Sequence, residues 1–161
     1  MSAKEKSKRA ANDPLKNANS SKRDAWFKAS PDRWKVSTVM EWGGDRAMAS
    51  ELSVVIMDAD PSQWPAMEKK LVAVLNDKTC TDAARDWVCR MLRLVGSPAC
   101  VPALKPMLAD PKQADRARYA LEMIPGKEVD AALQEALGKL SGDARKGLEG
   151  TIEARKQCGT V

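Results

Sequence analysis

Two short sequence phrases alternate along the chain, and this internal repetition limits the fold more than any other feature. In the first phrase, an alanine and an apolar residue are followed four positions later by a leucine, at 66–71, 103–108 and 132–137. In the second, an aspartate is followed two or three positions later by an arginine, at 82–85, 115–118 and 143–145. Because the two series interleave at a spacing of roughly 30–35 residues, they predict a repeated two-helix unit, the sequence signature of an α-solenoid.

Apolar residues recur at helical spacing from residue 24 onward, between residues that typically begin or end helices. The residues predicted to open helices are Asp32, Asp45, Asp60, Thr81, Ser97 and Asp110. The predicted breaks are Gly43-Gly44, Gly96, Pro125-Gly126 and Ser141-Gly142. The pattern indicates about eight short helices and no strand. It therefore predicts an all-α domain over residues 24–161, in which consecutive helices are antiparallel neighbours.

Further matching positions connect these helices to a known kind of repeat. They are residues 89–92 with Gly96-Ser97, residues 101–104, 117–122 and 132–140, and Trp42-Gly43 at the end of a first helix. These stretches resemble the HEAT-like repeat family, in the form met in bacterial multi-repeat proteins. The resemblance covers about residues 34–157 and implies a short right-handed α-solenoid of about four two-helix repeats. Such stacks mainly serve as interaction surfaces, and a few act on nucleic acid or pigments, so the resemblance alone carries no activity.

The last predicted helix departs from that family's pattern. Glu149 and Glu153 lie one turn apart on the face where a further repeat stacks in longer relatives. Burying these carboxylates without partners would cost on the order of several kcal/mol. We therefore expect this helix to be a polar cap that ends a short, complete solenoid.

The net charge of the chain is concentrated at its N-terminus. Residues 1–23 contain seven basic and two acidic side chains, so their net charge equals the +5 of the whole chain, and the remaining residues are balanced. Few of these side chains are apolar, so we expect a disordered, solubilising basic tail. The alternative is an electrostatic arm that binds nucleic acid or an anionic surface weakly and without sequence specificity. The candidate residues of that arm are Lys4, Lys6, Lys8, Arg9, Lys22 and Arg23.

The titratable residues argue against several classes of site. The chain has no histidine, and its four cysteines include no Cys-x-x-Cys pair. We therefore expect no metal, no cofactor and no enzymatic activity. Cys89 is expected in the core and Cys158 as a free thiol. Cys80 and Cys100 lie near predicted helix starts, where the helix dipole lowers a thiol pKa; a disulfide between them is the less favoured alternative.

No apolar run approaches the ~20 residues that span a bilayer. The basic start is not followed by the apolar stretch of a signal peptide. Both observations favour a cytoplasmic protein.

The arginines of the second phrase are candidates for a functional series. A row of arginines at the repeat period is compatible with phosphate binding, but each follows an aspartate at a distance that favours an ion pair. We therefore expect mainly structural pairs with the aspartates at 82, 115 and 143. Tyr119, the only tyrosine, lies beside Arg118, and both residue types are enriched in binding hot spots. The candidate partner-binding residues are Arg85, Arg118, Tyr119 and Arg145.

The tryptophans and one proline give further structural expectations. The tryptophans on predicted apolar stripes, expected in the core, are Trp34, Trp42, Trp64 and Trp87. Trp26-Phe27 is expected to pack as a cap over the first helix pair, with an exposed docking element as the alternative. Pro106 cannot donate to the carbonyl of Pro102, which predicts a kink in that helix.

Together these features favour a non-catalytic scaffold or adaptor that binds another protein along the inner face, formed by the second helix of each pair. The first alternative is a nucleic-acid-binding protein similar to HEAT-like DNA glycosylases. It requires a basic concave face, which the balanced charge after residue 23 disfavours. The second alternative is an enzyme similar to the pigment lyases. It requires acid–base residues in a pocket, and no such constellation is visible in the sequence.

Overall fold

Helices account for most of the chain that the computed structural model describes, which comprises residues 34, 35, 37–44 and 46–159. The α-helices are α1 Ala47–Met57, α2 Trp64–Leu75, α3 Asp82–Val95, α4 Val101–Leu108, α5 Ala114–Leu121, α6 Lys127–Leu137 and α7 Gly142–Gln157. Short 3₁₀ turns lie at Ser37–Val39, Pro61–Gln63 and Pro98–Cys100. The described residues contain no strand, so the all-α prediction is confirmed.

Several helical segments begin at the residues that the sequence indicates. The side chains of Asp60, Thr81 and Ser97 accept hydrogen bonds from the amides of Ser62, Ala84 and Ala99, at 2.9, 3.1 and 3.2 Å. Each bond satisfies an amide that has no partner within the helix, which is the reason these residue types favour such positions. Asp32 and Asp45 lie outside the described residues.

The first predicted helix is only partly described. Residues 34–35 are helical and Ser37–Val39 form a 3₁₀ turn. The chain then turns at Gly43, whose φ of +77° favours glycine. The predicted break at Gly43-Gly44 is therefore confirmed.

The helices contact each other in two series. One series is α1, α3, α5 and α7, in which each helix packs on the next. In the other, α2 contacts the turn Pro98–Cys100 that leads into α4, and α4 packs on α6. The pairs α2–α3, α4–α5 and α6–α7 join the series. The alanine–leucine phrase lies on α2, α4 and α6, and the aspartate–arginine phrase lies on α3, α5 and α7.

The core lies between the two series and is almost entirely aliphatic. Leu71 on α2, Leu92 on α3, Leu104 on α4 and Leu133 on α6 are fully buried. Burying one such side chain stabilises the fold by about 1.5–3 kcal/mol relative to exposure. These leucines are therefore among the side chains whose burial stabilises the packing of the helices.

Only half of the tryptophan prediction is confirmed. Trp34 and Trp87 are buried with ring centroids 6.5 Å apart, and the Trp87 indole donates to Ser53 Oγ at 2.9 Å. Trp42 and Trp64 are 52% and 37% exposed, so their prediction is wrong. Trp42 lies in the turn before α1 and Trp64 is the first residue of α2, positions where the apolar stripe of a helix no longer faces the core. Trp26-Phe27 lies outside the described residues.

The last helix, α7, carries the largest feature that the sequence pattern missed. Arg155 is 1% exposed, and its Nη1 donates to the carbonyl oxygens of Leu121, Glu122 and Ile124 at 2.8, 3.0 and 2.6 Å. Its Nε and Nη2 both lie 2.8 Å from Asp130 Oδ1. The guanidinium thus satisfies carbonyls at the last residue of α5 and in the segment that follows it.

The two carboxylates that the sequence singles out on α7 are exposed, and the role of this helix as the cap of a solenoid stays a prediction. Glu149 and Glu153 are both exposed, and Glu149 accepts a hydrogen bond from Arg145 Nε at 2.9 Å.

Pro106 lies inside α4 as expected, and the kink there stays a prediction. Among the described residues, no helix combines the length and apolar character needed to cross a bilayer.

Candidate functional site

An exposed aromatic side chain is held in place where α3 meets α5. Tyr119 on α5 is 44% exposed, and the guanidinium carbon of Arg93 on α3 lies 4.3 Å from its ring centroid. Arg93 Nη1 donates to the Tyr119 carbonyl oxygen at 2.8 Å, and Nη2 donates to Glu122 Oε1 at 3.2 Å. The stacking and the two bonds fix the guanidinium against one face of the ring.

Exposed apolar residues accompany this pair. Leu94 follows Arg93, and Met123 lies four positions after Tyr119; both are about half exposed, at 47% and 51%. We call Arg93, Leu94, Tyr119, Glu122 and Met123 the Tyr119 surface. Scattered apolar residues on a surface need no explanation, but an ordered aromatic with exposed apolar residues close by in sequence is typical of an interaction site.

Two of the predicted arginine pairs are confirmed. Arg85 Nη1 lies 3.3 Å from Asp82 Oδ1, and Arg118 Nε lies 2.8 Å from Asp115 Oδ1. Arg118 Nη1 also donates to Thr151 Oγ1 on α7 at 3.3 Å. Arg118 therefore links α5 to α7, which supports its structural role, while its role in partner binding stays a prediction.

The third predicted pair is wrong. Arg145 Nε donates to Glu149 Oε1 at 2.9 Å and its Nη1 donates to the carbonyl of Leu137 at 3.0 Å. Asp143 instead lies 3.6 Å from Lys146 Nζ. Helix geometry explains the difference, because side chains two positions apart do not face each other, whereas those three or four apart do.

The structure pairs the arginines more completely than the sequence predicts. All arginines between positions 85 and 155 lie within 4.0 Å of a carboxylate oxygen. They are Arg85, Arg90, Arg93, Arg116, Arg118, Arg145 and Arg155. Arg116, for example, lies between Asp82 and Asp86 of α3, at 3.5 and 4.0 Å. This part of the chain therefore offers no row of unpaired guanidinium groups, and the six basic candidates of the tail lie outside the described residues.

The cysteines do not form the reactive thiols that their sequence positions suggest. Cys80, Cys89 and Cys100 are buried and Cys158 is exposed, and all four are free thiols. The predicted lowering of the pKa at Cys80 and Cys100 is wrong. Burial raises the pKa of Cys80, and it raises the pKa of Cys100 to about 12, with the nearby Glu68 carboxylate as a second cause. Burial also raises the pKa of Cys89 to about 12, as its core position requires.

The described residues contain no group of three His, Cys, Asp or Glu side chains that could hold a metal ion. The Tyr119 surface presents an aromatic ring, a guanidinium and exposed apolar side chains, which are the kinds of group that recur at interfaces.

Comparison with other proteins does not assign this chain to a family. No protein-family model, no curated protein and no solved structure matches it.

Proposed function

We propose that this protein is a non-catalytic adaptor, built as a short right-handed HEAT-like α-solenoid, that binds another protein through the Tyr119 surface. The two series of helix contacts and the alternation of the two phrases between the series support the solenoid. In that arrangement α1, α3, α5 and α7 are the second helices of the pairs. The Tyr119 surface, on α3 and α5, then belongs to the inner face.

The stacking of Arg93 on Tyr119 is the observation that carries this proposal. Tyrosine and arginine are the residue types most often found at the energetic centre of interfaces. Here the guanidinium is already fixed by the Tyr119 carbonyl and by Glu122. Because ordering a free side chain costs about 0.5–1.5 kcal/mol on binding, a pre-ordered pair loses less free energy when a partner covers it.

The pairing of the arginines argues against nucleic acid as the main partner. Phosphate binding needs cations that are free to replace counterions, and each arginine from 85 to 155 is already beside a carboxylate. Weak, salt-dependent binding by the basic tail at residues 1–23 remains the alternative function. If the tail binds nucleic acid, the affinity of the protein for nucleic acid should disappear when residues 1–23 are deleted.

Photo-crosslinking in the source cells tests the adaptor proposal. A photoreactive amino acid placed at position 123 in the full-length chain should form a discrete covalent adduct with another protein. The matched control places the same amino acid at position 134, which is exposed on α6 in the other series, and should give no such adduct. Tyr119→Ala should remove the adduct and lower the free energy of unfolding by less than about 1 kcal/mol.

Two outcomes would contradict the proposal. An adduct at position 123 that persists in both Tyr119→Ala and Arg93→Ala would place the binding energy elsewhere. An adduct of twice the mass of the chain would identify the partner as a second copy rather than a different protein.

A further inference from the structure

A groove lies beside α2 and shares no residue with the Tyr119 surface. It has a volume of about 630 Å³ and lies between the start and middle of α2 and the segment that joins α3 to α4. Pro61, Trp64, Pro65 and Val72 line one side, and residues 95–97 and 99 line the other. We call this concavity the Trp64 groove. Its volume lies within the range of about 300–1,000 Å³ that is typical of ligand sites.

A buried carboxylate belongs to the lining of this groove. Glu68, one turn after Trp64 on α2, is only 6% exposed. Its Oε1 accepts hydrogen bonds from the amide and hydroxyl of Ser97 at 2.7 and 3.0 Å, and its Oε2 accepts one from the same hydroxyl at 2.8 Å. Both donors are neutral groups of Ser97, and the thiol of Cys100, another neutral group, lies near the same carboxylate.

Within the described part of the chain, no lysine or arginine lies within 4.0 Å of the Glu68 carboxylate. Other carboxylates of the described chain, such as Asp82, Glu122 and Glu135, lie within 4.0 Å of a lysine or arginine, but Glu68 has no such partner among the described residues. A carboxylate has about four sites that accept hydrogen bonds. The bonds from Ser97 therefore leave acceptor capacity on Glu68, and Oε2 carries fewer of these bonds than Oε1. A buried charge without a counter-charge costs free energy, and a bound cation would recover part of that cost.

The side chains around the carboxylate suit a cation carried on an apolar chain. Trp64 and Glu68 lie four positions apart and so share one face of α2. An indole face attracts ammonium and guanidinium groups. Grooves lined by tryptophan and proline are typical binding sites for extended, proline-rich segments, which are already ordered before they bind.

We propose that the Trp64 groove binds an extended, proline-containing peptide segment of a partner protein and that a lysine or arginine of this segment pairs with Glu68. The apolar part of the segment packs on Trp64, Pro61 and Pro65. The cation reaches Oε2 of Glu68 while Ser97 keeps its bonds to the carboxylate. Lys69 at the rim repels basic residues outside the central position, so one cation per segment is preferred.

The Trp64 groove shares no residue with the Tyr119 surface, so either proposal can be wrong without affecting the other.

Peptide binding to the groove can be measured by NMR. The probe is the peptide acetyl-Pro-Pro-Leu-Lys-Pro-Pro-amide, added to the ¹⁵N-labelled full-length protein. The chain has five tryptophans, and Trp64→Phe identifies the Trp64 indole N–H signal. We expect this signal to shift with peptide concentration and to saturate.

A double-substitution cycle tests the pairing with Glu68. Replacing the peptide lysine by norleucine, which has a similar length and no charge, should weaken binding about tenfold, as expected for a charged hydrogen bond. Glu68→Gln should weaken the binding of the lysine peptide by a similar factor and leave the affinity for the norleucine peptide nearly unchanged. Glu153→Gln removes the same charge from α7 and should have no effect on peptide binding.

Three results would overturn the proposal. The first is the absence of any shift of the Trp64 signal at millimolar peptide. The second is equal affinity for the lysine and norleucine peptides, which needs only the wild-type protein and so holds even if Glu68→Gln fails to fold. The third is equal weakening by Glu68→Gln and Glu153→Gln, which would mean that only the overall charge attracts the peptide.

Discussion

The contact between α3 and α5 and the contact of α7 with the end of α5 both use arginine, yet they differ in burial. Between α3 and α5, the guanidinium groups of Arg93 and Arg116 lie at the surface, with about a fifth of each side chain exposed (21% and 20%). At the end of α5, the guanidinium of Arg155 is buried at 1% exposure. Surface ion pairs contribute about 0–1 kcal/mol, whereas a buried charge that loses its partner destabilises the fold strongly. Arginine therefore orders surface side chains between α3 and α5, whereas it stabilises the fold at the contact of α7 with the end of α5.

Arg155→Ala should give the largest change in stability. It leaves the Asp130 carboxylate without its cation and removes a donor from three backbone carbonyls, of which that of Leu121 keeps the amide of Ile124. We therefore expect the free energy of unfolding to fall by about 3–5 kcal/mol. Urea unfolding followed by circular dichroism measures this change. Arg145→Ala on the same helix, where the side chain is 45% exposed, is the matched control and should cost less than about 1 kcal/mol. Similar losses in the two variants would show that burial does not separate these regions.

Two glycines of α7 should respond differently to alanine. A Cβ at Gly147 would lie 2.9 Å from Arg118 Nε, whereas a Cβ at Gly150 would meet nothing within 4 Å. Gly150→Ala should therefore stabilise the protein by up to about 1 kcal/mol through helix propensity alone. Gly147→Ala should be less stable than Gly150→Ala by about 1 kcal/mol, because the new Cβ forces Arg118 away from Asp115 and Thr151. Equal thermal melting temperatures for the two variants would contradict the link between α5 and α7.

A smaller effect is expected at the exposed contact between α4 and α6. Hydrogen bonds and charge from Lys105 and Lys139 lower the pKa of Glu135 to about 2. Because the pKa in the folded state is below its usual value of 4.5, the contribution to stability is present above pH 4.5 and is lost as the pH falls through about 2. Glu135→Gln should therefore be less stable than the wild type near neutral pH, and the difference should vanish near pH 2. A difference that stays constant with pH would contradict this ion-pair contribution.

The sequence predicts local structure well because the signals are local. Thr81 and Ser97 act on amides two or three positions away, and the pairs Asp82–Arg85 and Asp115–Arg118 lie within one turn of a helix. Helix positions and these pairs were therefore predictable from spacing. The same spacing argument fails for Asp143 and Arg145, which are too close in sequence to share a face.

The contacts that define the candidate sites are not local. Arg93 reaches Tyr119 across 26 positions, and Ser97 reaches Glu68 across 29. Neither partner follows from periodicity, because periodicity orders residues within a helix and not between helices. Arg155 left one weak signal: it continues the buried stripe of Leu148 and Thr151 on α7. A charged residue on an apolar stripe indicates a buried partner, although the sequence does not say which one.

The buried guanidinium of Arg155 also determines how the C-terminal helices open. It binds carbonyls that precede α6 and a carboxylate, Asp130, within α6. If α7 detached alone, it would lose the hydrogen bonds and the ion pair of Arg155 together with the burial of Leu148, which is more costly than ordinary fraying of a terminal helix. We therefore expect helices α6 and α7 to open as one cooperative unit, with amide hydrogens in both exchanging with solvent through the same opening event.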